Sequence, residues 1–263
     1  MILDRFAVTD RVALVTGAGK GIGAATAKAV AEAGADVVCA ARTESDLERT
    51  VAAVEAAGRA GHAVPTDVND RAQLEHLVAE TLERFGRIDI LVNNAGGWPP
   101  QPTFRTSERA MEQAFHFNVV APFLLTRMLA TKMVETAGGG AIVNISSRAG
   151  SMVQPCFTAY GTAKAALSFM TRNIAPELAP KVRVNAIDVG GVATDALASV
   201  LTDDSITQQM LTNTPMQRVG EPEDIAAAVL YLVSPASSWV TGKVFEIDGG
   251  CEHPAFTIPF EQL

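Results

Sequence analysis

The sequence predicts one α/β domain over residues 1–263: a doubly wound parallel sheet of about seven strands with helices on both faces. Three observations predict it. Apolar runs of four to six residues alternate with longer segments of helical period. The runs are nearly continuous in valine, alanine and isoleucine, as strands buried on both faces require. Aromatic residues make up only 6% of the chain, which suits helices packed closely on a sheet better than a β-sandwich.

Arg11–Thr16 reads as the first buried strand and Ile22–Ala33 as a helix stopped at Gly34. Asp36–Ala41 is the second strand, followed by a helix over Ser45–Ala57 that Gly58 ends. Gly61–Pro65 is a weaker third strand, and Arg71–Phe85 a helix closed by Gly86. Ile88–Asn93 is the fourth strand. Glu108–Glu135 carries helical period with an interruption at Pro122, and the turn Gly138-Gly139-Gly140 closes it. Ala141–Ser146 is the fifth strand, Tyr160–Leu178 a long helix, Val182–Ile187 the sixth strand, Pro222–Val233 another helix and Val244–Ile247 the last strand. Residues 193–215 read as a lid, since long segments between a strand and the next firm helix commonly gate a site. Residues 251–263 form an apolar tail broken by proline. No linker or repeat divides the chain.

Composition excludes several function classes. A net charge of −8 argues against a nucleic-acid or anionic-membrane partner, either of which needs a basic face. Cys39, Cys156 and Cys251 form no CxxC pair, and the four histidines are scattered, so no metal site is expected. The start MILDRFAVTDR carries charges where a signal peptide needs an apolar run, and no run approaches ~20 apolar residues. A soluble cytoplasmic protein is the expectation.

In open parallel sheets ligands bind beyond the carboxyl ends of the strands, and the informative residues stand there. Directly after the first strand comes Thr16-Gly17-Ala18-Gly19-Lys20-Gly21-Ile22-Gly23, opening into a helix. Glycines allow a tight turn and close backbone approach, and the helix N-terminus offers free N–H groups to a pyrophosphate. The spacing is Gly-x-x-x-Gly-x-Gly over Gly17, Gly21 and Gly23. Asn93-Asn94-Ala95-Gly96 closes the fourth strand, and Asp67 follows the third. In this order the motifs resemble the short-chain dehydrogenase/reductase family, over essentially Arg11 to Gly250.

That resemblance implies a Rossmann-type dinucleotide domain. The implied cofactor contacts are Gly17, Gly19, Lys20, Gly21, Ile22, Gly23, Arg42, Asp67, Val68, Asn94, Ala95 and Gly96, then Tyr160, Lys164, Gly190, Val192 and Thr194. Asp67 is implied to bond the adenine amino group; as a residue alone it reads equally as a helix N-terminal acid. The second strand ends Ala40-Ala41-Arg42, without the acid that accepts from a ribose 2′-hydroxyl in NAD sites. Arg42 is able to fork onto a 2′-phosphate, and Lys20 stands in the loop to assist. NADP(H) is therefore favoured over NAD(H), with Glu44 and Asp46 close behind as the opposing feature.

Tyr160 and Lys164 lie four apart at the start of a helix and so share a face. Ser147 precedes the tyrosine by thirteen residues, and Asn118 lies in the preceding helical segment. The resemblance implies that Asn118, Ser147, Tyr160 and Lys164 form a catalytic tetrad. Reduction of a carbonyl needs a proton donor, and a tyrosine of pKa ~10 donates well but is seldom ionised for the reverse reaction. An ammonium ~4 Å away at an effective dielectric of ~20 contributes about 4 kcal/mol, enough for two to three pK units. Lys164 is thus expected to lower the tyrosine pKa and, by resemblance, to bond the nicotinamide ribose, with Asn118 holding a water. From its residue type alone, Asn118 reads nearly as well as a polar helix residue bonding backbone. Ser147 is expected to stabilise the substrate oxygen.

One departure stands out. Where the family usually has Pro-Gly, this chain has Asp188-Val189-Gly190. The pocket candidates Trp98, Ser147, Val153, Phe157 and Leu197, with Met152 and Met210 beside them, are mostly apolar and supply no cation. They suit a bulky ketone or secondary alcohol; Met210 reads more readily as core. Val192–Leu197, Thr214-Pro215 and Ser238–Gly242 resemble bacterial hydroxysteroid dehydrogenases of the 7α type. The alternatives are a 3-oxoacyl-thioester (acyl-carrier-protein) reductase and a non-catalytic dinucleotide sensor. The resemblance implies a homotetramer, and the tail is expected to pack across a neighbouring subunit.

Overall fold

The chain closes one sheet of seven strands, all paired in parallel, in the order β3-β2-β1-β4-β5-β6-β7. The strands are Val12–Thr16 (β1), Asp36–Ala41 (β2), Gly61–Pro65 (β3), Ile90–Asn93 (β4), Gly140–Ser147 (β5), Val182–Val189 (β6) and Val244–Ile247 (β7). The computed structural model describes residues 1–194, 197 and 204–260. The order reverses between β1 and β4, and that switch point opens the crevice in which such sheets bind ligands.

Strand residues alternate between two cores. Ala13, Val15, Val37, Cys39, Val92, Val143 and Ile187 face helices α1 (Gly21–Glu32), α2 (Glu44–Ala56) and α8 (Pro222–Val233). Leu14, Val38, Leu91, Ile142 and Val184 face α3 (Arg71–Phe85) and α5 (Ala121–Ala137). Helix ends follow local chemistry. The Asp70 carboxylate accepts the Ala72 and Gln73 N–H groups at the start of α3, and Gly86 ends that helix at φ 69°.

The segment Glu108–Glu135 behaves differently from its expectation. Helix α4 (Glu108–Phe115) passes through a π turn, His116–Val120, directly into α5. Pro122 causes no break, because it sits in the first turn of α5, where its missing N–H is not required. The irregularity falls one turn earlier and contains Asn118. By length and composition Glu108–Ala137 is apolar enough to cross a membrane, contrary to the reading of the sequence, yet half of it is buried inside the fold.

Strands β5 and β6 run past their expected ends, through polar residues: Ser146 pairs in register with Asp188, and Ser147 with Val189. The long helix is α6 (Thr158–Leu178). Within the expected lid, Asp204–Asn213 forms a helix (α7) that the sequence reading lacked. Residues 195, 196 and 198–203 of that lid, and 261–263 of the tail, lie outside the described residues.

Candidate active site

The glycine loop is shaped by contacts that exclude side chains. Gly17 and Gly21 have φ of 64° and 52°, in the left-handed region that favours glycine. A Cβ on Gly17 would lie 2.7 Å from Asn94 Nδ2, and one on Gly23 would fall onto the Gly17 carbonyl oxygen. Asn94 is the latch. Its Nδ2 donates to the carbonyls of Thr16 (2.8 Å) and Gly17 (3.2 Å). The backbone N–H groups of Asn94 and Ala95 both donate to Thr16 Oγ1 at 3.0 Å. The Asn94 side chain therefore holds the loop, and the bare backbone at the start of α1 is left for an anion. This cradle fits a dinucleotide pyrophosphate.

Around it, Asp67 Oδ1 accepts from the N–H and Nδ2 of Asn69, both at 3.0 Å, and Val68 is buried beside it. Lys20 Nζ lies 3.6 Å from Asp46, which also pairs with Arg49. Arg42 is exposed at the end of β2 and has no side-chain partner among the described residues. Thr194 packs on the loop, 3.1 Å from where a Gly21 Cβ would be. The Gly190 N–H donates to Ile247 O at 3.0 Å, and Val192 bridges to Gly220.

The catalytic candidates converge at the carboxyl end of β5. Ser147 stands beside Tyr160, near enough to lower its pKa, and its Oγ accepts the Ala149 N–H at 3.2 Å. One turn along α6, Lys164 is buried, with Nζ donating to Ile145 O at 2.8 Å and lying 5.7 Å from the Tyr160 ring centroid. Asn118 is buried in the π turn. Its Oδ1 accepts the Gly97 N–H (2.9 Å), and its Nδ2 donates to Gly97 O (3.1 Å) and Ala114 O (2.8 Å). A Cβ on Gly96 would lie 2.8 Å from Asn118 Oδ1 and 2.9 Å from Lys164 Nζ, so only a glycine lets both approach. Asn118 thus makes the backbone bonds its residue type allows while standing beside the lysine.

Burial pushes the Tyr160 hydroxyl up, against the Ser147 hydroxyl that lowers it, and the Asp188 charge raises it further. Burial also brings Lys164 down to about 8, with Asp188 opposing the fall. The expectation that Lys164 dominates the tyrosine pKa is therefore corrected: desolvation outweighs it here and favours the protonated phenol.

On the substrate side, Phe157 lies against Tyr160 (centroids 6.3 Å), and Phe256 of the tail meets Phe157 edge-on at 6.5 Å. Phe256 is only 9% exposed. Asn213 Nδ2 donates to Ala255 O at 3.1 Å, tying the tail to α7. This segment packs on its own protomer, where Phe157 provides an apolar partner for Phe256. Trp98 and Leu197 are half-buried, Met210 is core, and Val153 stands 90% exposed, outside the aromatic stack. An open groove of about 250 Å³ includes Met152 and Phe157, but its Gly161 and Ala165 lie on a face of α6 turned from Tyr160.

Sequence reasoning missed Phe256 and Arg148. The buried Arg148 guanidinium pairs with Glu246 and with Asp248 (2.7 Å) and donates to Cys251 O (3.0 Å), clamping the loop after Ser147 to the end of β7. Its position next to Ser147 was the only signal.

Comparison with known proteins agrees with this geometry. A family model described as enoyl-(acyl carrier protein) reductase matches residues 17–252. An uncharacterized oxidoreductase of Mycobacterium tuberculosis is 45% identical over 263 residues, covering all of both chains. The 7α-hydroxysteroid dehydrogenase of Escherichia coli K12 is 39% identical over 94% of this chain and 96% of its own. A 3-oxoacyl-[acyl-carrier-protein] reductase of Synechocystis is 36% identical over 93% and 98%. Among solved structures, a 7α-hydroxysteroid dehydrogenase complexed with NADH and 7-oxo glycochenodeoxycholic acid superposes with a TM-score of 0.91. It is 38% identical, over 95% of this chain and 97% of that one.

Proposed function

The chain belongs to the short-chain dehydrogenase/reductase family, an oxidoreductase family, and on that premise we propose that it interconverts a bulky apolar secondary alcohol, hydroxysteroid-like, and its ketone with NADP(H). The observation that carries this reading is the Ser147–Tyr160–Lys164 set opening beside the Phe157–Phe256 aromatic wall. Flat apolar rings stack on such a wall.

The nicotinamide supplies the hydride when bound. The backbone of Gly17–Gly23 would hold its pyrophosphate, Asp67, Val68 and Asn94–Gly96 the adenosine side, and Gly190, Val192 and Thr194 the nicotinamide end. Ser147 donates a hydrogen bond to the substrate oxygen. Tyr160, kept protonated by burial, gives its phenolic proton to that oxygen as the C–O double bond becomes single. The charge left on the tyrosine oxygen is offset by the neighbouring Lys164 ammonium, and in the oxidising direction the same proton returns.

Arg42 supports NADP(H) over NAD(H). It is exposed and unpartnered among the described residues, and no acid stands at the end of β2. The Lys20–Asp46 pair is the feature opposing it. Large apolar side chains at the surface of the central helices, Phe115, Phe123 and Phe169, support a homotetramer.

The test is absorbance at 340 nm with NADPH and NADH in parallel against ketosteroids, cyclic ketones and an acetoacetyl thioester. Ketosteroid turnover with NADPH supports the proposal. Turnover of the thioester alone moves the protein to acyl-carrier chemistry, and dinucleotide binding without any turnover points to a sensor.

A further inference from the structure

Asp188 is a carboxylic acid near the end of β6, and it is 2% exposed. It faces Ser146 across the β5–β6 pair. Ser168 Oγ, on α6 one turn beyond Lys164, lies 2.8 Å from Asp188 Oδ1 and 2.8 Å from Ser146 Oγ. Ser146 Oγ in turn lies 3.0 Å from the Lys164 carbonyl oxygen. A side chain of α6 and the two central strands are thus joined through hydroxyls behind the catalytic lysine.

Three oxygen–oxygen contacts share two hydroxyl protons, so the protonation state of Asp188 fixes the direction of those at Ser168. The Lys164 carbonyl only accepts, so Ser146 donates to it in either case; if the acid is ionised, Ser168 donates to Oδ1. If it is protonated, the acid donates to Ser168 and Ser168 passes its own hydrogen bond to Ser146.

The charges nearby decide between the two. From β7 and beyond, Glu246, the register partner of Asp188, and Asp248 approach, and both pair with Arg148 from the loop after β5. From α6 come Tyr160 and Lys164, while the π turn offers Asn118 and β5 offers Ser146 and Ser147, none of these three titrating near neutrality. Lys164 is the cation left for Asp188 among the described residues, and it too is 2% exposed. A buried charge without a counter-charge is costly, whereas a buried pair offsets much of that cost.

Lys164 Nζ donates to Ile145 O, one residue before the Ser146–Asp188 pair. We propose that Asp188, held in place by Ser168, is the ionised counter-charge of Lys164, a positioning residue whose charge keeps the lysine protonated across the working pH range. The proposal rests on the catalytic reading above for its consequence but not for its test. Removing the negative charge allows burial to act unopposed, so the lysine pKa falls. From about 8 it is expected to drop by about one to two units, the usual effect of a nearby opposite charge. The variant then loses charged lysine as pH rises through neutrality, and its turnover deficit grows from little at pH 6 to about tenfold at pH 8.

The experiment is an NMR titration of ¹³C-labelled lysine, with the Lys164 signal assigned from Lys164→Arg, in the wild-type protein, Asp188→Asn and Ser168→Ala, with pH profiles of turnover beside it. Asp188→Asn preserves shape, and Ser168→Ala, which keeps the acid but removes its donor, carries the test if the first variant fails to fold. An acidward shift of the Lys164 midpoint, larger for Asp188→Asn, supports the proposal even if no ketosteroid is turned over, in which case only the substrate reading fails. An unchanged midpoint, or a protonated-carboxyl infrared band at pH 7 that Asp188→Asn abolishes, overturns it.

Discussion

The two halves of the crevice are built on opposite principles. On the β1–β4 side the site is backbone: four glycines, two in left-handed conformation, held by the Asn94 amide and Thr16 hydroxyl. On the β5–β6 side it is side chain: a half-buried phenol, and a buried ammonium, acid and pair of serines, of which the acid and serines are hydrogen-bonded together. The first half is sensitive to volume, because an added carbon has nowhere to go. The second is sensitive to charge and proton count, because its groups are cut off from solvent.

Substitutions that change one property without the other sharpen this contrast. Tyr160→Phe removes a single oxygen and leaves volume intact; turnover is expected to fall by more than ~10³-fold while dinucleotide fluorescence titrations stay near wild type, consistent with loss of an essential proton donor. Retention of a tenth of the activity would remove Tyr160 as the principal acid. Gly23→Ala changes no charge, yet overpacking of this kind costs about 1–3 kcal/mol. Dinucleotide affinity, read by calorimetry, should drop by about 5- to 150-fold, and equal binding would show that the loop yields.

Arg42→Asp tests the rim of the backbone half, where charge should matter and volume should not. Binding of NADPH is expected to weaken at least ~10-fold more than that of NADH, in keeping with loss of a charge-assisted contact; equal losses would mean that Arg42 does not read the phosphate. Phe256→Ala is the mildest. A several-fold rise in KM for bulky ketones, with small cyclic ketones unaffected, is the scale set by one aromatic contact. A KM change independent of substrate size would place Phe256 outside the wall.

The sequence made legible what depends on local order. Asp36–Ala41, Gly61–Pro65, Arg71–Phe85, Pro222–Val233 and Val244–Ile247 lie where apolar period and stop residues place them. The glycine loop and the Tyr160–Lys164 spacing are equally local, whereas the grouping of Asn118 and Ser147 with them came from the family resemblance. What the reading lacked comes from pairing between distant segments. Ser147 and Asp188 look like loop residues, yet they extend two strands because their partners lie across the sheet. Helix α7 is too polar to announce itself by period, and the π turn leaves no pattern distinct from an ordinary helix. Phe256 was visible as an apolar residue, but only tertiary contact shows that Phe157 receives it.

The Arg148 clamp and the aromatic stack also set an order in time. Both draw on residues beyond Gly250, the Cys251 carbonyl and the Phe256 ring. A ribosome that has released β1 to β6 has delivered the glycine cradle, Ser147, Tyr160 and Lys164, but neither the far anchor of the serine loop nor the second ring of the wall. A chain ending near Gly250 would keep the residues of the glycine cradle with Ser147, Tyr160 and Lys164, but would lack the Cys251 carbonyl that receives Arg148 and the second ring of the wall.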